Sequence, residues 1–152
     1  MAQPAPLRPP LSAHSPPTVE FCSACGALSE RPGGRRVCPA CGLGVLLSCA
    51  ADALPGEAAS FLVVDRDLRV SAASARAERL LGGRGCGLRV QDLVSGRPGN
   101  GELIRQLARA AGGLPGTATL AVSVSGRRGG FEARVSPCGP PRAALLVLAR
   151  SN

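Results

Sequence analysis

The sequence has no tryptophan, no tyrosine, no lysine and a single histidine, His14, and only three of its 152 residues are phenylalanine. Each absence excludes something. One histidine, set among the prolines near the N-terminus, cannot complete a Ser, His and Asp constellation in a folded core. With so few rings there are no platforms on which a single-stranded nucleic acid could stack its bases. A core must be built from Val, Leu and Ala, which a chain that is 45% hydrophobic can supply. No apolar run reaches the roughly 18 residues of a membrane span, and "MAQPAPLRPPLSAHSPPTVE" holds no signal-type apolar core. The expected location is the cytoplasm, with no membrane contact.

All 18 basic residues are arginine, and against ten carboxylates they leave a formal net charge of +8. Such an excess suits nucleic acid only where it is clustered. Here the arginines run from Arg8 to Arg150, with adjacent pairs only in "GRR" at 34–36 and "GRRGG" at 126–130, both of them turn-like. A solvated arginine-rich surface, fed by a GC-rich coding bias, accounts for the same composition.

What the chain does have is cysteine, seven in all. An odd count in a reducing compartment fits metal ligands and free thiols better than disulfides. Four of them form "FCSACGALSERPGGRRVCPACG" at 21–42, two Cys-x-x-Cys-Gly units twelve residues apart. Cys22 with Cys25, and Cys38 with Cys41, can each close a tight knuckle on one ion, and Gly26 and Gly42 let the backbone turn its amides towards the sulfurs. The chemistry this predicts is structural Zn2+. A module of about thirty residues buries too little apolar surface to fold alone, and four cysteine ligands leave no open position for substrate. A thioredoxin-like redox pair needs a βαβ setting that is missing. If the four thiolates and one dication are counted, the net charge falls to about +6.

Residues 1–19 carry six prolines and no apolar period, and are expected to be a disordered tail. Residues 20–49 form the metal module, ending in the short apolar strand "LGVLLSC"; 50–59 act as a linker with Pro55 and Gly56 as turn residues; a second domain fills 60–152. In that domain "FLVVD" at 61–65 suits a strand buried on both faces, "DRDLR" a turn, and "VSAAS" a second strand. Ser74 can cap a helix through "ARAERLLGG" whose Ala77, Leu80 and Leu81 share a face, with Gly82 as its stop. "RVQDLV" gives a further helical turn. "GELIRQLARAAGG", 101–113, is an amphipathic helix with Leu103, Ile104, Leu107, Ala108 and Ala111 inward. "TATLAVSVS", with Ala118, Leu120, Val122 and Val124 on one face, and "FEARVS" alternate as strands around the "GRRGG" turn. "SPCGPP" then breaks the chain before the apolar strand "AALLVLA". The fold class predicted is α+β: a small zinc-binding module, then a five-stranded antiparallel sheet with helices on one face.

The 20–49 segment resembles a zinc ribbon. "FLVVDRDLRVSAASARAERLLG" at 61–82, with "GLRVQDLV" at 87–94, resembles the opening of a PAS domain, and the elements to Arg150 follow that family's order. The resemblance implies a sensory or interaction module. Many PAS domains have Asn where Ser74 stands. Haem-binding members usually offer an axial histidine from the core, and the one histidine here is His14; flavin-binding members carry a reactive-cysteine motif that "GRGCGLRV" around Cys86 does not match. Neither haem nor flavin is expected.

Asp65, Asp67, Glu78, Asp92 and Glu102 fall singly at turns and on helix faces, where capping and solvation explain them, and no phosphate-cradling glycine loop precedes a helix. The expectation is a non-catalytic signalling or regulatory protein. Its PAS-like domain would take a small ligand or a protein partner, with a second copy of the chain among the candidates through an uncovered "AALLVLA". Two alternatives stay open: a nucleic-acid-binding regulator using Arg35 and Arg36 on phosphates, and a thiol redox sensor acting through Cys86. Cys49 and Cys138 are expected to be small buried residues.

Overall fold

The computed structural model describes Ala2, Ala5 and residues 17–29, 35–56 and 58–152. Expectations for the rest of the Pro-rich tail, for His14 and for positions 30–34 of the turn between the cysteine pairs lie outside the described residues. Of the described residues assigned to the tail, Thr18 and Val19 open the first strand, β1 (Thr18–Cys22). It pairs antiparallel with β2 (Leu46–Ala50), from Thr18 opposite Ala50 to Cys22 opposite Leu46. The expected linker begins with the last residue of β2, then makes a 3₁₀ turn at Ala51–Ala53, with Ala53 buried.

The remaining strands are β3 (Ser60–Val64), β4 (Val70–Ala73), β5 (Val94–Gly96), β6 (Ala118–Val124), β7 (Phe131–Gly139) and β8 (Ala143–Arg150). The helices are α1 (Ala75–Leu80), α2 (Val90–Leu93) and α3 (Asn100–Ala111). All strand pairings are antiparallel. β4, β3, β8, β7 and β6 lie side by side in that order, with β5 beyond β6. The α+β expectation is met. The count of five strands is not, because the sheet has eight: β5 extends one edge, and β1 and β2 join at the far end of β7. β5 had no legible pattern because three residues, two of them Ser95 and Gly96, carry no period of their own; Val94 finds its place opposite Val124.

Local chemistry sets the turns. Asp65 Oδ1 accepts from the N–H groups of Asp67 and Arg69 at 2.9 and 3.0 Å, tightening the β3–β4 turn. Ser74 Oγ caps α1 by accepting from Ala77 N–H at 3.2 Å. Arg127, from the turn between β6 and β7, closes the other end of α1 by donating to the carbonyls of Leu80 and Arg79. In α3 the buried residues are Leu103, Leu107, Ala110 and Ala111, whereas Ala108, expected inward, is exposed. The buried stripe is set by the sheet beneath it, and Ala110 faces that sheet more squarely than Ala108 does.

"SPCGPP" does not break the chain where expected. β7 continues through Pro137 and Cys138 to Gly139. Pro137 is tolerated because β6 ends opposite Val135 and β2 begins opposite Cys138, so this edge of β7 has no partner strand in between.

The sheet is buried on both faces. Leu62, Val64, Val135, Leu146 and their neighbours pack against Ala77, Leu103 and Leu107 of the helices. The alternate residues, Phe61, Val63, Ala143 and Leu145, pack against Phe21, Leu47 and Cys49 from β1 and β2. "FLVVD" and the start of "AALLVLA" are continuously apolar for this reason: each strand meets a layer on either side. The apolar surface offered by "AALLVLA" as a ground for self-association is therefore covered from Ala143 to Leu146, with Ala143 and Leu145 buried beneath the N-terminal module and Ala144 and Leu146 beneath the helices.

Candidate metal centre

β1 delivers Cys22 at its last position, and the chain turns at once, with Gly26 N–H donating back to Cys22 C=O at 3.0 Å. The second pair repeats the turn: Gly42 N–H donates to Cys38 C=O at 2.9 Å. Both glycines have positive φ, +75° and +70°, which a side chain would strain. Within the first knuckle the N–H groups of Ala24 and Cys25 lie 3.3 and 3.4 Å from Cys22 Sγ. Gly44 is fixed for a different reason. A methyl there would land on Cys22 Sγ and 2.9 Å from the backbone N of Ala24, so the two halves of the site close only around a missing side chain.

The four sulfurs of Cys22, Cys25, Cys38 and Cys41 all lie within 4.8 Å of one another. Cys22 and Cys41 are 3.6 Å apart, and Cys25 and Cys38 3.8 Å. Sulfurs about 2.3 Å from one tetrahedral ion stand about 3.8 Å from each other, so the cluster has the size such an ion requires. The distances also exceed a disulfide bond, and all seven cysteines are free thiols. Burial pushes the Cys25 thiol up to about 12 and raises Cys22 as well, whereas the N–H groups of Leu43 and Gly44 hold Cys41 down to about 6. The setting favours a thiolate at Cys41 and resists one at Cys22 and Cys25 until a cation joins them.

The centre is tied to the sheet through Phe61. The Phe21 ring, beside Cys22, meets the Phe61 ring edge-on, with centroids 5.8 Å apart and planes at 86°. The first knuckle also touches this ring, for a Cβ on Gly26 would sit 3.3 Å from Phe61 Cε1. The sequence had marked the cysteines and their glycines but neither Gly44 nor the Phe21–Phe61 contact. No spacing rule reports a contact between residues forty positions apart.

The other singled-out residues are dispersed. Cys49 and Cys138 are buried opposite one another, and burial pushes their thiols up to about 11 and about 12. Cys86 is exposed between Gly85 and Gly87. Arg35 and Arg36 are exposed beside the metal module. Asp65 serves its turn, and Glu102 pairs with Arg105 on α3. Among the described residues, no helix is long and apolar enough to cross a membrane.

No protein-family model matches this chain, and no curated protein matches it either. Among solved structures, it is similar to the PAS domain of nitrogen regulation protein NR(II) from Vibrio parahaemolyticus, at 17% identity and a TM-score of 0.49, over 67% of this chain and 99% of that one.

Proposed function

We propose that the protein is a non-catalytic signalling or regulatory module, in which a PAS-like domain takes a small ligand or a protein partner and a structural zinc site braces it. The observation that carries this reading is the shared apolar layer of Phe21, Leu47 and Cys49 with Phe61, Val63 and Leu145. A metal module used as an independent reader of nucleic acid has no need to cover the sheet of another domain. Here the four-cysteine centre anchors β1 and β2, and those strands close the face of the sheet that the helices leave open. The metal would supply the rigidity that so small a layer cannot gain from burial. The sheet order and the one-sided helices suit a sensor, because α1, α2 and α3 can shift against a fixed sheet when a ligand binds.

Native mass spectrometry of protein purified without added metal tests this. The expected result is one zinc per chain together with a retained small molecule or a self-associated species. A chain that holds no zinc, retains nothing, stays monomeric and captures no partner from its own cell extract overturns it.

A further inference from the structure

A groove of about 750 Å³ lies between α1, the start of β3, the end of β8 and the turn joining β6 to β7. Four arginines line it: Arg76, Arg79, Arg127 and Arg150. They come from three separate parts of the chain, so the concentration of charge exists only in the folded protein. No carboxylate lines it among the described residues. The ion pair of Arg105 with Glu102 is elsewhere, on α3. Like charges gathered without a counterion raise the energy of the fold, and a bound anion relieves that.

Three of the guanidinium groups are already held in place. Arg76 donates to Ala58 C=O at 3.0 Å, Arg127 to Leu80 C=O at 2.7 Å and Arg79 C=O at 2.9 Å, and Arg150 lies over the Phe131 ring at 5.7 Å. Each guanidinium has five N–H donors, so these contacts fix the groups while leaving donors free. Such planar, prepositioned forks match the geometry of phosphate oxygens. Leu80 and Val147, both half-buried, supply apolar surface in the same groove. Its volume falls in the range of small-molecule sites, about 300–1,000 Å³.

We propose that this groove binds a soluble small molecule carrying a phosphate group, with the phosphate among the four guanidinium groups and the remaining body against Leu80 and Val147. The proposal deepens the sensor reading above and rests on it: the phosphate compound is the ligand that the PAS-like domain would sense.

The test is calorimetric titration of the full chain with ADP, adenosine and inorganic pyrophosphate, repeated with anionic phospholipid vesicles and a DNA single strand. ADP is expected to bind at least about tenfold more tightly than adenosine and to be displaced by pyrophosphate. Arg79→Gln combined with Arg150→Gln should weaken ADP at least about tenfold, with metal content and melting temperature unchanged. Should the double variant fold poorly, Arg79→Gln alone decides, since the Arg79 side chain does not cap α1 or stack on Phe131; a severalfold loss is expected. Equal binding of adenosine and ADP, unchanged ADP affinity in Arg79→Gln, or tighter binding to vesicles or DNA than to ADP overturns the proposal. Silent ADP titrations combined with a retained, phosphorus-free species in the mass spectrum also overturn it and leave the sensor reading standing; silence in both overturns the two together.

Discussion

Cys49 and Cys138 stand opposite one another where β2 runs beside β7, and with Ser48 opposite Gly139 they make up, among the described residues, the strand pairing between β1–β2 and the rest of the sheet. Two residue pairs are too few to hold a layer in place. The remaining hold comes from side chains beneath, above all Phe21 on Phe61, and from the cysteine cluster that fixes where β1 and β2 end. Metal site, seam and sheet should therefore respond together when any one is altered.

Removing the metal is the most direct check. Chelation, or Cys25→Ser, should cost about 4 kcal/mol or more and lower the melting temperature by about 10 °C. As β1 and β2 loosen, Phe61 and Leu145 become accessible, and binding of an apolar dye should rise. Gly44→Ala should have the same outcome with all four ligands intact, because its methyl occupies the place of Cys22 Sγ. A Gly44→Ala protein that retains a full equivalent of metal would show the site to be looser than the geometry says.

A double-mutant cycle at Phe21 and Phe61 measures the coupling between the metal module and the sheet. Phe61→Ala should cost about 3–5 kcal/mol, and the two substitutions together should cost less than their sum by about 0.5–1.5 kcal/mol. Strict additivity in denaturant unfolding would mean that the edge-on contact contributes nothing beyond burial.

Ser74 carries more than its cap. Its Oγ accepts from Ala77 N–H and from Phe61 N–H and donates to Ala59 C=O, in a buried position. Ser74→Ala should cost about 2–3 kcal/mol, more than an exposed N-cap, since it also strands the Phe61 amide. A loss of no more than about 0.5 kcal/mol, the lower end of the range for caps, would show that water replaces the hydroxyl.

Alkaline pH should reveal the buried thiols at the seam. Burial holds Cys49 at about 11, aided by the charge of Asp52, and Cys138 at about 12, aided by Cys49, against an ordinary value of 9.0. Above pH 9 the unfolded chain gives up these protons while the folded chain keeps them. Stability is therefore full below pH 9 and falls as pH rises towards 11 and 12, by up to about 1.4 kcal/mol per pH unit for each thiol. Unfolding midpoints at pH 8.5 and 10.5 should diverge in the parent protein and converge in a Cys49→Ala, Cys138→Ala variant. Equal slopes in the two proteins would remove these thiols from the account.

The legible parts of the sequence were those governed by short-range rules. Ser74 and Gly82 bracket α1, Ala118 to Val124 alternate, and Gly26 and Gly42 turn the knuckles, because each of these depends on a few neighbouring residues. The illegible parts needed a partner from far along the chain. β5 is a strand only because Val124 lies opposite Val94, and β7 runs past Pro137 only because one edge of it is vacant there. The groove belongs to the same class, since arginines at 76, 79, 127 and 150 show no pattern in one dimension.

By itself the sequence determined the four-cysteine cluster, the α+β class and the continuously apolar strands, each being a local matter of spacing or period. Tertiary structure decided what covers those strands. Continuous hydrophobicity demands two covering layers but does not name them, and only the folded chain assigns one to the helices and the other to the strands β1 and β2 beside the cysteine cluster. That assignment turns on non-local contacts, Phe21 with Phe61 and Cys49 with Cys138, whose free energy comes from burying surface rather than from any preference of the residues alone.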